Sequence, residues 1–186
     1  MESQLIDLLR VLEEDSRRQG GVPRAAREAG QFFNLLVKAT RAVNILEVGT
    51  NDGYTTLWLA EAAAQTGGKV TTIENDVWQL AIAKKHFLRS PHGERIQLVQ
   101  GDALELLAVL EGPFDFVLLD GEKSQTLHYF HILAEQLSSG AIICCDKAIS
   151  QASVLTPYLS YVHERPGLDS LLVPIGEGVE VTYKSP

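Results

Sequence analysis

The chain has 186 residues, 45% of them hydrophobic and 22% charged, with a formal net charge of −8. Such a length and mixture suit one folded domain that buries about 70% of its unfolded surface, and they exclude disordered, collagen-like and fibrous chains. The anionic balance disfavours nucleic acid as a partner, and no uncharged apolar run approaches the ~20 residues of a membrane span.

Glu2, Asp7, Glu13, Glu14 and Asp15 interrupt any hydrophobic start, so no signal peptide is expected. Leu5, Leu8, Leu9 and Leu12 recur at helical spacing until Gly20, Gly21 and Pro23 break the pattern. Phe32, Phe33, Leu36 and Val37 mark a second helix. Residues 1–41 hold seven Lys/Arg and six Asp/Glu. Their only basic cluster is Arg17, Arg18, Arg24 and Arg27, read first as a solvated helix end and second as a contact for an anionic substrate tail.

From Val43 onward short apolar runs alternate with helical stretches. The runs are Val43–Val48, Val70–Ile73, Ile96–Val99, Phe114–Leu119 and Ala141–Cys145. Near-continuous hydrophobicity in the first, fourth and fifth is expected of strands buried on both faces of a parallel sheet. The helices between them include Thr56–Ala64, Trp78–Leu88, Leu104–Leu110 and Leu127–Leu137. At the end Ser170–Val173 and Val179–Tyr183 flank a Gly-rich turn and read as an antiparallel pair. The expected architecture is a doubly wound α/β sheet with helices on both faces. It forms one domain, 1–186, with N-terminal helices over 1–41 and the α/β core over 42–186. Cys144 and Cys145 are adjacent inside a strand, which argues against a disulfide between them and for a cytoplasmic location. Trp58 and Trp78 are expected to pack against the sheet, and His128 and His131 to be solvated or packed.

Ligands of an open α/β sheet bind at the carboxyl ends of its strands. Each strand here delivers an acid to that edge: Glu47, Glu74, Asp102, Asp120 with Glu122, and Asp146. The first loop, Gly49-Thr50-Asn51-Asp52-Gly53-Tyr54-Thr55, lacks the middle glycine of the dinucleotide fingerprint and puts Asp52 where a pyrophosphate would sit. Glu74 lies 25 residues beyond Gly49 and can accept both hydroxyls of a ribose. Asp102 can accept from an adenine amino group, with Ala103 giving a backbone N–H, or can simply N-cap the next helix. The set asks for a nucleoside without phosphates that carries positive charge. S-adenosylmethionine meets that demand.

Ile45–Thr55, Val70–Asp76, Gly101–Ala103, Phe114–Lys123, Cys145–Asp146 and Val173–Lys184 together resemble the small-molecule O-methyltransferases of the catechol and caffeoyl-CoA type. The resemblance implies a Rossmann-like sheet of seven strands in the order 3-2-1-4-5-7-6, the last antiparallel. It implies that Glu47, Gly49, Thr50, Asn51, Gly53, Tyr54, Thr55, Glu74, Asn75, Asp102, Ala103, Asp120 and Glu122 surround S-adenosylmethionine, with backbone near Ala25 capping it. It further implies a homodimer, a hydroxyl-bearing small-molecule acceptor, Mg²⁺ held by Asp120 and Asp146, and Lys123 as the base.

Two features depart from that pattern. Where the family has an asparagine metal ligand stands Lys147, whose ammonium donates hydrogen bonds and accepts none. It cannot ligate Mg²⁺, and it is expected to pair with Asp120 or Asp146 in the cation's place, giving a metal-poor or metal-free site. The segment between Lys147 and the final strand pair is also short. Competing readings are a non-catalytic or divergent S-adenosylmethionine-binding protein, a methyltransferase of macromolecules, and a nicotinamide-dependent oxidoreductase.

Overall fold

The computed structural model describes residues 3–18, 20 and 23–186, with residues 23–25 described by their backbone alone. Two amphipathic helices, α1 (Ser3–Arg18) and α2 (Pro23–Thr40), lead into the α/β core. Proline at the first position of α2 suits a site whose N–H has no helical partner. The core runs β1 (Asn44–Val48), α3 (Tyr54–Thr66), β2 (Lys69–Glu74), α4 (Val77–Arg89), β3 (Ile96–Gln100), α5 (Ala103–Leu107), β4 (Phe114–Leu119), α6 (Thr126–Leu133), β5 (Leu137–Asp146), α7 (Ala152–Glu164), β6 (Leu168–Val173) and β7 (Val179–Lys184). The strands form one sheet in the order β3-β2-β1-β4-β5-β7-β6. Pairings from β3 to β5 are parallel, and β7 runs antiparallel to both β5 and β6. This is the expected order.

Alternation along the central strands builds two cores. Leu46, Val48, Val117 and Leu119 face α5, α6 and α7 through Leu107, Phe130, Leu133 and Tyr158. Ile45, Phe116, Leu118 and Cys144 face α2 and α3 through Phe33, Val37, Leu59 and Ala60. The leucine stripe of α1 closes over Tyr54, Leu57, Trp58 and Phe87. Gly30 lets α2 lie directly on α3, because a Cβ there would come within 2.3 Å of Trp58 Cδ1. The same contact is tied by Asn34, whose Nδ2 donates to Trp58 O at 2.8 Å, and by the Lys38–Glu61 ion pair at 2.5 Å.

The structure corrects the sequence reading in three places. β5 begins at Leu137 rather than Ala141, because a bulge between the Phe114 and Phe116 pairings takes up the polar Ser138-Ser139-Gly140 stretch. Helix α7 has no counterpart among the helices expected from the sequence: Pro157 sits inside it and masks the Leu155, Tyr158 and Val162 face that it buries. Trp78 does not pack against the sheet and is 78% exposed, whereas Trp58 is buried. Cys144 and Cys145 are free and buried. Among the described residues no helix is long and apolar enough to cross a membrane.

The face assignment of α2 is testable by urea denaturation. Phe33, fully buried, should lose about 3–5 kcal/mol on Phe33→Ala. Leu35→Ala on the exposed face of the same helix should stay within about 0.5 kcal/mol.

Candidate active site

The carboxyl ends of β1 to β5 open into one cleft of about 650 Å³. Its wall contains Gly49 and Asn51 after β1, Glu74 and Asn75 after β2, Asp102 and Ala103 after β3, and Asp120, Glu122 and Lys123 after β4. Lys147 follows β5. A second recess of about 230 Å³ adjoins it, built from Thr50, Tyr54 and Thr55 with Glu13 and Ala26 from the N-terminal helices, and it shares Asn51 and Lys147 with the first. The expectation at Ala25 falls outside the residues whose side chains are described, as does that for Arg24. Sequence reasoning missed Gln125 and Tyr129, and also Gln151 and Val154 from the loop and helix that follow Lys147. The last two could not be placed without α7.

Three expected residues are not in either wall. Gly53, at φ 84°, turns the chain into α3, and a Cβ there would strike Phe87 at 2.5 Å. Asp146 lies behind the cleft, where its Oδ1 accepts from Lys147 N–H at 2.8 Å. Glu47 is fully buried beneath the first loop. It shares its face of β1 with Ile45, so strand alternation turns it away from the cleft.

The walls are held by backbone contacts that the acids themselves complete. Gly49 has φ 96°, and a Cβ there would lie 2.6 Å from Gly121 N and 2.7 Å from Asp120 C, so only glycine lets the β1 and β4 loops touch. Glu74 Oε2 accepts from Asn51 N–H at 2.7 Å, and Oε1 from Asp76 N–H at 2.9 Å. Each oxygen keeps a lone pair for a ligand hydroxyl. Asp102 does N-cap α5, accepting from Leu104 and Glu105 N–H, while its residue remains part of the wall. Glu122 Oε1 is held by the Ser124 hydroxyl at 2.9 Å. Arg27 is not a free anion contact, because it forms a two-pronged pair with Glu13, which also accepts from Tyr54 Oη at 2.7 Å. Arg18 pairs with Asp15.

At the β4–β5 end two ammonium groups converge on one carboxylate oxygen. Lys123 Nζ is 2.9 Å and Lys147 Nζ 2.8 Å from Asp120 Oδ1. Lys123 Nζ also donates to Leu119 O at 3.3 Å. Burial, and next the neighbouring charge of Asp120, push Asp146 up to about 6. Burial acts to lower the Lys147 ammonium, but the charge and hydrogen bond of Asp120 outweigh it and hold Lys147 above its ordinary value. This donor set does not fit Mg²⁺, which requires a near-octahedral shell of oxygens. The oxygen that would ligate it already receives two cations, and a third position is itself a cation. Among the described residues no group of three or more His, Cys, Asp and Glu side chains could hold a metal ion.

A family model described as O-methyltransferase matches residues 2–166. A catechol O-methyltransferase from Mycobacterium tuberculosis is 32% identical over 166 residues, covering 82% of this chain and 75% of the relative. The crystal structure of cofactor-bound Rv0187 from MTB superposes with a TM-score of 0.78 at 29% identity, covering 84% of this chain and 79% of that one. The O-methyltransferase from Bacillus cereus in complex with SAH superposes with a TM-score of 0.79 at 24% identity, covering all of this chain and 92% of that one. The last likeness speaks to the fold alone.

Glu47 sets a pH dependence of stability. Its Oε2 accepts from the Thr56 hydroxyl at 2.5 Å and from the Thr72 hydroxyl at 2.6 Å, and Thr72 in turn accepts from Thr50 at 2.6 Å. Oε1 has no partner. Burial outweighs the two hydroxyls and pushes its pKa from 4.5 to about 8. The folded state therefore holds a proton that the unfolded state releases, so stability falls as pH rises from 4.5 to about 8 and the loss is complete above that window. Thermal melting of the parent and of Glu47→Gln between pH about 5 and about 9 should show the variant gaining on the parent as pH rises.

Proposed function

The chain belongs to the O-methyltransferase family whose model it matches, and on that premise we propose that it transfers a methyl group from S-adenosylmethionine to a hydroxyl of a small molecule. The observation that carries this reading is the convergence of Glu74, Asp102, Asp120 and Glu122 on one cleft of about 650 Å³. Such a wall repels a pyrophosphate and favours a cationic ligand. The methyl donor's sulfonium supplies an electrophilic carbon that an oxygen nucleophile can take. Glu74 would accept the two ribose hydroxyls on its free lone pairs, and Asp102 and Ala103 would address the adenine edge. Thr50, Asn51 and Tyr54 would surround the amino-acid tail in the adjoining recess. The 29% identical neighbour Rv0187 was solved cofactor-bound, which supports a cofactor in this fold's cleft.

We assign Lys123 to the acceptor's proton. As a free amine it takes the hydroxyl proton while the oxygen gains the methyl carbon and the carbon–sulfur bond breaks onto sulfur. Lys147 and Asp120 fix where that oxygen sits, and much of the rate gain is proximity. We further propose a homodimer, which the family resemblance implies, and a cytoplasmic location, for which the adjacent, unbridged cysteines of β5 are the support.

Calorimetric titration with S-adenosylhomocysteine and, separately, with NAD tests the reading. Binding of the first and not the second is expected, and the reverse would overturn it. Glu74→Gln should weaken S-adenosylhomocysteine about tenfold to a hundredfold, as expected for hydrogen bonds to a charged acceptor worth about 1.5–3 kcal/mol. Circular dichroism of the same sample reports whether the loop survives the loss of one of the two backbone bonds to Glu74.

A further inference from the structure

We propose that the Lys147 ammonium is the resident cation of this site, standing where the family resemblance implies a divalent ion, and that the acceptor is consequently a compound with a single acidic hydroxyl of the phenol or enol class rather than a chelating pair of vicinal hydroxyls. The inference deepens the methyl-transfer reading and rests on it.

Three observations converge on Lys147. Its Nζ lies 2.8 Å from Asp120 Oδ1, the oxygen that Lys123 Nζ also meets at 2.9 Å. Lys147 also lies in the walls of both recesses, at the junction where a donor in one meets an acceptor in the other. Finally, its backbone has φ 64°, in the left-handed region. Asparagine and glycine enter that region readily, whereas a lysine there is held at a cost. The backbone is pinned by Lys147 N–H to Asp146 Oδ1 at 2.8 Å, by Gln151 N–H to Lys147 O at 2.9 Å and by Ala148 N–H to Gly178 O at 2.8 Å. Strain of this kind persists where the surroundings over-determine it, and it collects at functional positions.

The swap changes what the site can select. A divalent ion can hold two oxygens of one acceptor at once. An ammonium with one N–H hydrogen-bonded to Asp120 has two N–H groups left, and each meets one oxygen as a point contact. One charge also stabilises a developing oxyanion less than two, so the hydroxyl must be acidic in its own right. A phenol, with a pKa of about 10, meets that condition, and an alkyl alcohol does not. During transfer the acceptor O–H proton goes to the Lys123 amine, the oxygen forms the new carbon–oxygen bond, and Lys147 keeps its protons while hydrogen-bonding the oxygen.

The test uses the whole purified chain after treatment with EDTA. S-adenosylhomocysteine binding is measured by calorimetry, Mn²⁺ binding by electron paramagnetic resonance, and methyl transfer against matched phenols and catechols. Expected are S-adenosylhomocysteine binding, no stoichiometric Mn²⁺ uptake, and transfer to single-hydroxyl phenols that added Mg²⁺ leaves unchanged. Lys147→Asn should gain Mn²⁺ binding and lose about a hundredfold in transfer to a monophenol. Lys147→Arg should retain a measurable part of that transfer and still bind no Mn²⁺. Should the asparagine variant misfold, the metal measurement on the parent decides alone. S-adenosylhomocysteine binding together with stoichiometric Mn²⁺ uptake, or with transfer confined to catechols, would overturn this inference and leave the methyl-transfer reading intact. Failure to bind S-adenosylhomocysteine would overturn both.

Discussion

The close approach of two backbone segments governs the cleft. Gly49 of the β1 loop lies against Asp120 and Gly121 of the β4 loop at distances that a Cβ could not share. Val48 O receives Asp120 N–H at 2.8 Å, and Ile73 O receives both Gly49 and Thr50 N–H. Three neighbouring strands are thereby locked at their carboxyl ends. That lock fixes Asp120, and through Asp120 it fixes both lysines. Because parallel strands bring their carboxyl ends to one edge, the side chains that the lock positions share a single cavity rather than opposite faces.

The acids of that edge do two things at once. Asp76 and Asp102 cap helices, and Glu74 holds the backbone of Asn51 and Asp76. Each carboxylate is bound by N–H donors before any ligand arrives, so the cost of keeping negative charge in a partly buried wall is offset locally. Glu47 shows the contrary case. With only hydroxyl donors and complete burial it favours the neutral form, and it supports the loop from below. The cluster of Glu13, Arg27 and Tyr54 plays a comparable supporting role, tying the N-terminal helices to the start of α3 beside the second recess.

Much of this was legible in the chain. Strand β4 is found over Phe114–Leu119 as read, because a strand buried on both faces leaves an uninterrupted apolar run. The acid after each strand was legible for the same reason, since the end of the run marks the sheet's edge. What failed was whatever depended on a partner. Trp78 has a packing residue's chemistry but points to solvent. Glu47 is fully buried at the end of β1 and outside the cleft wall, a placement that the apolar run around it does not reveal. Helix α7 hid behind Pro157 and polar flanks, and with it went the contributions of Gln151 and Val154. Arg27 looked like a free cation until folding brought Glu13 to it across 14 positions of sequence.

Lys147 joins the two levels. Its identity was visible as a cation where an oxygen ligand would be expected, but its consequence depends on reach. An asparagine amide ends close to its own Cα, whereas the lysine stem carries its charge across to Asp120, on the neighbouring strand's loop. Backbone geometry suited to the shorter residue is kept at φ 64°, and the longer side chain is accommodated by extending rather than by refolding the turn. A cation carried on the chain is present whenever the fold is, and it responds to no ion concentration. It also carries half the charge and bonds through discrete N–H directions. Under the proposed reading, this site exchanges the strong, two-oxygen grip of an ion for permanence. What it then requires of its acceptor is acidity rather than a second hydroxyl.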